Sequence, residues 1–185
     1  MRKNTKLNGI VFLPDDKKLV SARNKTAKLL EDYNTMKADA RLSSRDRILK
    51  KLFNNKVKGS NIARPFFCEF GTNIKIGKNF KCGVYCSIDD SVDVVFGNDC
   101  IVGQHCCFYT STYASDISSR KKGLKVASPI VIGDNVVISD SVIVLGGVTI
   151  GRNAFIKTGS VVDTEIPEGA TVSGNPCVVV LAETI

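Results

Sequence analysis

The amino-acid sequence predicts an all-β solenoid, a parallel β-helix of hexapeptide repeats, with an α-helical cap at its N-terminal end. Three observations predict it. An apolar residue recurs at every sixth position from Ile76 to Val162, Gly often follows it, and the residues ahead of this beat carry the 3–4 spacing of helices instead. The boundaries that follow are residues 1–64 for the cap and 65–185 for the coil, with an excursion loop at 110–128 and a C-terminal tail.

In the cap, residues 7–58 read as helical. Ala27, Leu29, Leu30 and Tyr33, then Ile48, Leu49, Leu52 and Phe53, recur at helical spacing with charges between them. Ser43-Ser44-Arg45-Asp46 offers a hydroxyl cap and an acid for the first turn of a second helix. Gly59 and Pro65 punctuate the junction. Helices this short bury no core alone, so they are expected to pack on the coil.

The beat itself runs Ile76-Gly77, Cys82-Gly83, Ile88-Asp89, Phe96-Gly97, Val102-Gly103 and Phe108. It resumes as Ile132-Gly133, Ile138-Ser139, Val144, Ile150-Gly151, Ile156 and Val162, with one slip of two residues between 88 and 96. Each hexapeptide supplies a short strand and a corner, and three close a triangular winding of about 18 residues. Four places after each apolar residue comes a second inward candidate: Phe80, Cys86, Val92, Cys100, Cys106, Val136, Val142, Val148, Ala154, Ser160 and Ile166. Small residues there suit a narrow interior, which is the role expected of Cys86, Cys100 and Cys106. Residues 110–128 are polar and break the beat, as a functional loop thrown out from a regular solenoid would. Ser173-Gly174-Asn175-Pro176 ends the coil, and Val178–Leu181 are expected to pack back on it.

Composition narrows the function. The net charge of +8 is lopsided: residues 1–64 carry 17 basic and 6 acidic side chains, residues 65–185 carry 9 and 12. The basic residues alternate with apolar ones at helical spacing and lack interleaved aromatics, so they read as a solvated helix face and not as a nucleic-acid platform. No apolar run approaches the roughly 18 residues of a membrane span, and no apolar stretch follows the basic start as in a secretory signal. A cytoplasmic protein with neither nucleic acid nor membrane as partner is the expectation. Seven Cys form no CxxC pair, and the single His, His105, adjoins Cys106, so free thiols are expected and no metal.

The chain resembles the maltose and galactoside O-acetyltransferases of the hexapeptide acyltransferase superfamily. The resemblance is carried by Cys68-Glu69-Phe70-Gly71-Thr72-Asn73-Ile74, Gly77-Lys78-Asn79-Phe80, Pro129-Ile130-Val131-Ile132-Gly133-Asp134-Asn135-Val136 and Gly147-Val148-Thr149-Ile150-Gly151. Thr158-Gly159-Ser160-Val161-Val162, Gly174-Asn175-Pro176-Cys177 and, in the cap, Leu29-Leu30-Glu31-Asp32-Tyr33-Asn34 extend it to nearly the whole chain. It implies a homotrimer of left-handed β-helices in which acetyl-coenzyme A and a sugar hydroxyl meet at subunit boundaries. It also implies acyl transfer to an alcohol, a weak nucleophile at neutral pH that needs a general base, with backbone amides stabilising the oxyanion.

In that family the base is a histidine on the excursion loop. Here the matching stretch is Ser111-Thr112-Tyr113-Ala114, so Tyr113 occupies the catalytic position. A phenol titrates near 10, and its phenolate costs about 4 kcal/mol at pH 7; loss of a general base costs roughly 10²–10⁴ in rate. On the sugar side the resemblance implies Arg23, Asp90 and Glu69, with Tyr85 intruding where relatives have Asn or Asp. On the coenzyme side it implies Ser139, Asp140, Thr158, Gly159, Asp163 and Thr164. Val137 stands where many relatives have Trp, Thr164 where they have Lys, and Val178 and Leu181 where they present basic side chains to phosphates; Lys157 and Arg152 are the cations on offer. Two main readings stay open: an acetyl-coenzyme A-dependent O-acetyltransferase for a sugar or similar small alcohol, impaired or altered by the missing base, and an inactive trimeric relative serving in binding or assembly. A basic cap that binds an acidic polymer is the third.

Overall fold

The computed structural model describes residues 9–37, 41–54 and 59–180. Short parallel strands wind into a three-sided prism. The first face carries Asn61–Ile62, Lys81–Cys82, Ile101–Val102, Val137–Ile138, Phe155–Ile156 and Thr171–Ser173. The second carries Phe66–Cys68, Cys86–Asp89, Cys107–Tyr109, Ile143–Leu145 and Val161–Val162, and the third Ile74–Ile76, Val94–Phe96, Ile130–Ile132 and Thr149–Ile150. Every six-residue position from Ile76 to Val162 is buried, as the beat requires. All but one of the second inward candidates are buried too. The exception is Val92, half-buried at the corner of the two-residue slip, where the inward place passes to Val94.

Cys86, Cys100 and Cys106 line the interior at no more than 1% exposure. Their thiols donate to the carbonyls of Gly103, Gly133 and Ser139 in the next winding, at 3.0, 3.1 and 3.0 Å. A small side chain is thus used twice, for fit and as a weak staple between windings. All seven cysteines are free. Among the described residues, no group of His, Cys, Asp or Glu could hold a metal ion, and no helix is long and apolar enough to cross a membrane.

The irregularities of the winding gather on one edge. Later windings keep the 18-residue spacing, as between Ile132 and Ile150 or Val144 and Val162. Between the second and third faces the regular step of six becomes eight from Cys68 to Ile76, eight from Ile88 to Phe96 and 24 from Phe108 to Ile132. It shrinks to four from Val162 to Ile166, which bridges Ile150. The long insertion keeps the beat in phase because it adds a multiple of six. It is also more ordered than a loop: Ser111–Tyr113 and Lys125–Ala127 form an antiparallel hairpin over the short helix Ile117–Lys121, and Ile10–Phe12 adds a third strand.

The cap consists of helices α1 (Lys17–Asn34) and α2 (Leu42–Phe53). Leu30, Tyr33, Leu49, Leu52 and Phe53 join one continuous core with the coil. Thr26 donates to the carbonyl of Phe70 at 2.8 Å, Tyr33 to that of Ile62 at 2.7 Å, and Asn34 to that of Phe66 at 2.9 Å, so α1 caps the carbonyls of the first winding. Three local expectations are corrected. Ala27 is exposed, and the buried place is that of Thr26, whose hydroxyl is needed by Phe70. α2 begins a residue before Ser43, with Arg41 as its N-cap and no side-chain cap bond. Val178–Val180 do pair antiparallel with Thr171–Ser173, but Val178 and Val179 stay exposed, with no further winding among the described residues to cover them; Leu181 lies outside those residues.

Candidate active site

The expected site residues sort onto two of the three prism edges. On the edge between the first and second faces, Tyr85, His105, Ser139, Asp140, Thr158 and Gly159 occupy the corners of successive windings. Backbone bonds stack these corners: His105 N donates to Val84 O at 2.9 Å, Ser141 N to Gln104 O at 2.8 Å and Gly159 N to Asp140 O at 3.0 Å. On the edge between the second and third faces lie Glu69, Asp90, Tyr113, Asp163 and Thr164. The five-stranded second face separates the two sets by the length of one strand, roughly 10–13 Å at about 3.3 Å per residue. A single protomer does not bring them together.

The second of these edges carries a built polar cluster. Asp89 ends its strand facing the hairpin and accepts from Ser91 N at 3.0 Å, Ser91 Oγ at 2.6 Å, Thr110 Oγ1 at 3.3 Å and, on its other oxygen, Ser111 Oγ at 2.6 Å. Lys125 Nζ donates to Ser111 Oγ at 3.3 Å and lies 5.4 Å from the centre of the Tyr113 ring, its cross-strand neighbour. Tyr113 itself is 62% exposed. A depression of about 470 Å³ opens here, lined by Tyr109, Ser111, Tyr113, Val126, Leu145 and Gly146 among others. Sequence reasoning missed Asp89, Ser111 and Lys125 as site residues. The signal for Asp89 was present, since it fills the place after the apolar residue that other repeats give to Gly.

Asp90 serves the backbone of its own edge. It is fully buried, and its carboxylate accepts from the backbone N–H groups of Glu69 at 3.0 Å, Phe70 at 2.8 Å and Asn73 at 3.3 Å. It therefore clasps the widened corner of the winding above. Burial pushes its carboxyl up to about 6, against the backbone donors that favour the charged form. The folded chain thus holds this proton more tightly than the unfolded one, where Asp titrates at its ordinary value of 3.8. The resulting stabilisation is complete below that ordinary value and is lost as the pH rises through about 6. Relative to Asp90→Asn, the native chain is expected to gain up to about 3 kcal/mol in denaturant unfolding between about pH 7.5 and about pH 4. A gap that does not change with pH contradicts this account.

Other expected residues also have structural duties. Arg23 Nη1 meets Glu69 at 3.5 Å, and its Nη2 donates to Pro14 O at 2.5 Å, which ties the cap to the same corner. Asp140 accepts Gln104 N at 2.7 Å, so its carboxylate staples two windings, and its charge faces an N–H donor. Tyr85 lies flat against His105, with ring centres 5.1 Å apart and planes 5° apart. Gly159 has φ +73°, with nothing within 4 Å of where a Cβ would stand. With Ser139 and Thr158 it leaves an open strip down the edge. Arg152 pairs with Glu168 at 2.5 Å.

Three-sided windings of hexapeptides under a helical cap define the hexapeptide-repeat transferases, and the comparisons agree. Residues 129–164 match the bacterial transferase hexapeptide repeat, and residues 6–56 match the maltose acetyltransferase hexapeptide capping motif. The acetyltransferase-family protein YJL218W of Saccharomyces cerevisiae is 36% identical over 165 residues, which cover 89% of this chain and 84% of that one. A maltose O-acetyltransferase from Clostridium difficile 630 superposes with a TM-score of 0.89 at 34% identity, covering 94% of this chain and 92% of its own. A galactoside acetyltransferase in complex with coenzyme A gives a TM-score of 0.89 at 27% identity, covering 98% and 90%. The chain belongs to the maltose and galactoside O-acetyltransferase family, and its fold is the left-handed parallel β-helix with an N-terminal cap.

Proposed function

We propose that this chain is an acetyl-coenzyme A-dependent O-acetyltransferase acting on a hydroxyl of a sugar or similar small alcohol, as a homotrimer with its sites at subunit boundaries. The observation that carries the reading is the division of polar residues between two edges of one face. A cyclic arrangement sets one subunit's edge against the other edge of its neighbour, and so makes each site from two copies.

On the first edge, Ser139, Thr158 and Gly159 fit a pantetheine arm, because small side chains and an open glycine leave room for an extended chain beside backbone N–H and carbonyl groups. On the facing edge, between the second and third faces, Asp163 and Thr164, both exposed, stand toward the C-terminal end, where the coenzyme's phosphates belong in this reading. The bound coenzyme supplies an acetyl thioester. At the hairpin, Asp89 accepts from the acceptor's hydroxyls beside Ser111, which it holds, Lys125 sets the polarity of the depression, and Tyr113 walls it. The hairpin offers no imidazole, which is the departure from the family pattern.

The test is calorimetric titration with acetyl-coenzyme A, followed by coenzyme A release assays against a panel of sugars and small alcohols. Micromolar to submillimolar binding and acceptor-dependent release are expected. No binding at millimolar concentration overturns the reading. Binding without release for any alcohol instead supports the non-catalytic trimer, which the missing hairpin imidazole favours. A mass other than that of three chains rejects the shared site.

A further inference from the structure

We propose that His105 of one subunit is the catalytic base for the site completed by its neighbour's hairpin, in place of the imidazole that the hairpin lacks. The inference rests on the acetyltransferase reading above and adds to it the identity of the proton acceptor.

His105 is the single imidazole in the chain. It sits on the same edge as the proposed pantetheine strip, one winding above Ser139–Ser141 and two above Thr158–Gly159. With windings about 4.8 Å apart, that is roughly 10 Å up the edge. In this reading the coenzyme's phosphates lie toward the C-terminal windings, so its acyl end runs toward His105.

Height along the prism gives the second argument. His105 and Ser111 flank the same strand, Cys107–Tyr109, one at each margin of the second face. Rotation about a threefold axis parallel to the prism preserves height. A ring of three that sets first edge against second edge therefore brings the neighbour's His105 level with Ser111.

The imidazole is also held in place. His105 adopts φ 56°, a left-handed corner, and its N–H is fixed to Val84 O. Its ring lies parallel to that of Tyr85, whose own corner is tied by Tyr85 N to Pro65 O at 2.7 Å. Tyr85 is thus a positioning residue, and its bulk on this edge has a use. In the reaction a ring nitrogen of His105 takes the acceptor's hydroxyl proton as that oxygen bonds to the acetyl carbonyl carbon. The carbon–sulfur bond then breaks, and the imidazolium returns the proton to the departing sulfur.

His105→Asn tests this, since Asn tolerates the left-handed corner. We expect an intact trimer, acetyl-coenzyme A affinity within about twofold and kcat lower by roughly 10²–10⁴. Mixing His105→Asn subunits with Ser111→Tyr subunits, in which the added ring plugs the depression, should restore about one site in four by random assembly into heterologous rings. A His105→Asn enzyme with kcat within about threefold of the native one overturns the proposal, and so does a mixture with no recovery. A native chain that binds no acetyl-coenzyme A sinks the acetyltransferase reading itself, and with it this assignment.

Discussion

Valine at Gly97 is expected to destabilise the coil at its centre. On the edge between the third and first faces, Gly77, Gly97, Gly133 and Gly151 stack winding upon winding. A Cβ on Gly97 would stand 2.5 Å from Asp134 Oδ1 and 2.6 Å from both Asp134 N and Gly133 C, and one on Gly77 would run into Gly97 O. The backbone neighbours are locked by Gly97 N to Ile132 O at 2.8 Å and Gly77 N to Phe96 O at 3.0 Å, and Asp134 Oδ1 is held by Asn98 N at 2.6 Å, so they have nowhere to go. The branched side chain must push adjacent windings apart and break their ladder, a loss of roughly 3–5 kcal/mol from a total of about 5–15. Denaturant unfolding followed by circular dichroism measures it. Gly159→Ala is the control: with open space around it, it meets only the strain of a left-handed corner, about 1–2 kcal/mol. Near-native stability for Gly97→Val would show that the windings can separate, contrary to the packing described here.

The second large effect concerns Asp89. Alanine there removes the acceptor of Ser91, Thr110 and Ser111 together, and with it the charged anchor that sets the hairpin against the second edge. The fold should survive, because Thr110 Oγ1 still donates to the backbone carbonyl of residue 89 at 2.7 Å and the hairpin keeps its pairing with Ile10–Phe12. Activity should not survive: a shift of about 1 Å in catalytic parts costs on the order of 10²-fold. The expected result is a kcat/KM at least about a hundredfold lower, with a melting temperature within a few degrees of the native one. Asp89→Asn, which keeps one carbonyl acceptor, should fall between the two. Equal activity in all three would remove Asp89 from the acceptor site.

The interior was legible because a period of six leaves little freedom: once Ile76, Cys82 and Ile88 point inward, so do their successors. The exception, Val92, failed where two extra residues widen a corner, since spacing alone does not say on which side of an insertion the beat resumes. The helices were legible from Leu30, Tyr33, Leu49 and Leu52, whereas Thr26 was not, because its burial depends on a carbonyl 44 residues away. Ile10–Phe12 went unread for the same reason: three residues carry no period, and their partner Lys125–Ala127 lies far along the sequence. At the site, the pair Asp89-Asp90 was visible but its division of labour was not. Alternation in a strand sends one carboxylate out to the hairpin and its neighbour into a corner, where three N–H groups wait for it. The allotment of Tyr85 and His105 to one edge and Tyr113 to another likewise follows from counting corners, which requires knowing every insertion first.

That one edge absorbs steps of eight, eight, 24 and four residues, while the other two stay regular, makes it a port for grafting. Segments of foreign length and chemistry can be transplanted between Thr110 and Pro129 without rephasing the core, since the prism closes on either side of whatever is looped out. Redesign of acceptor preference should begin at that seam.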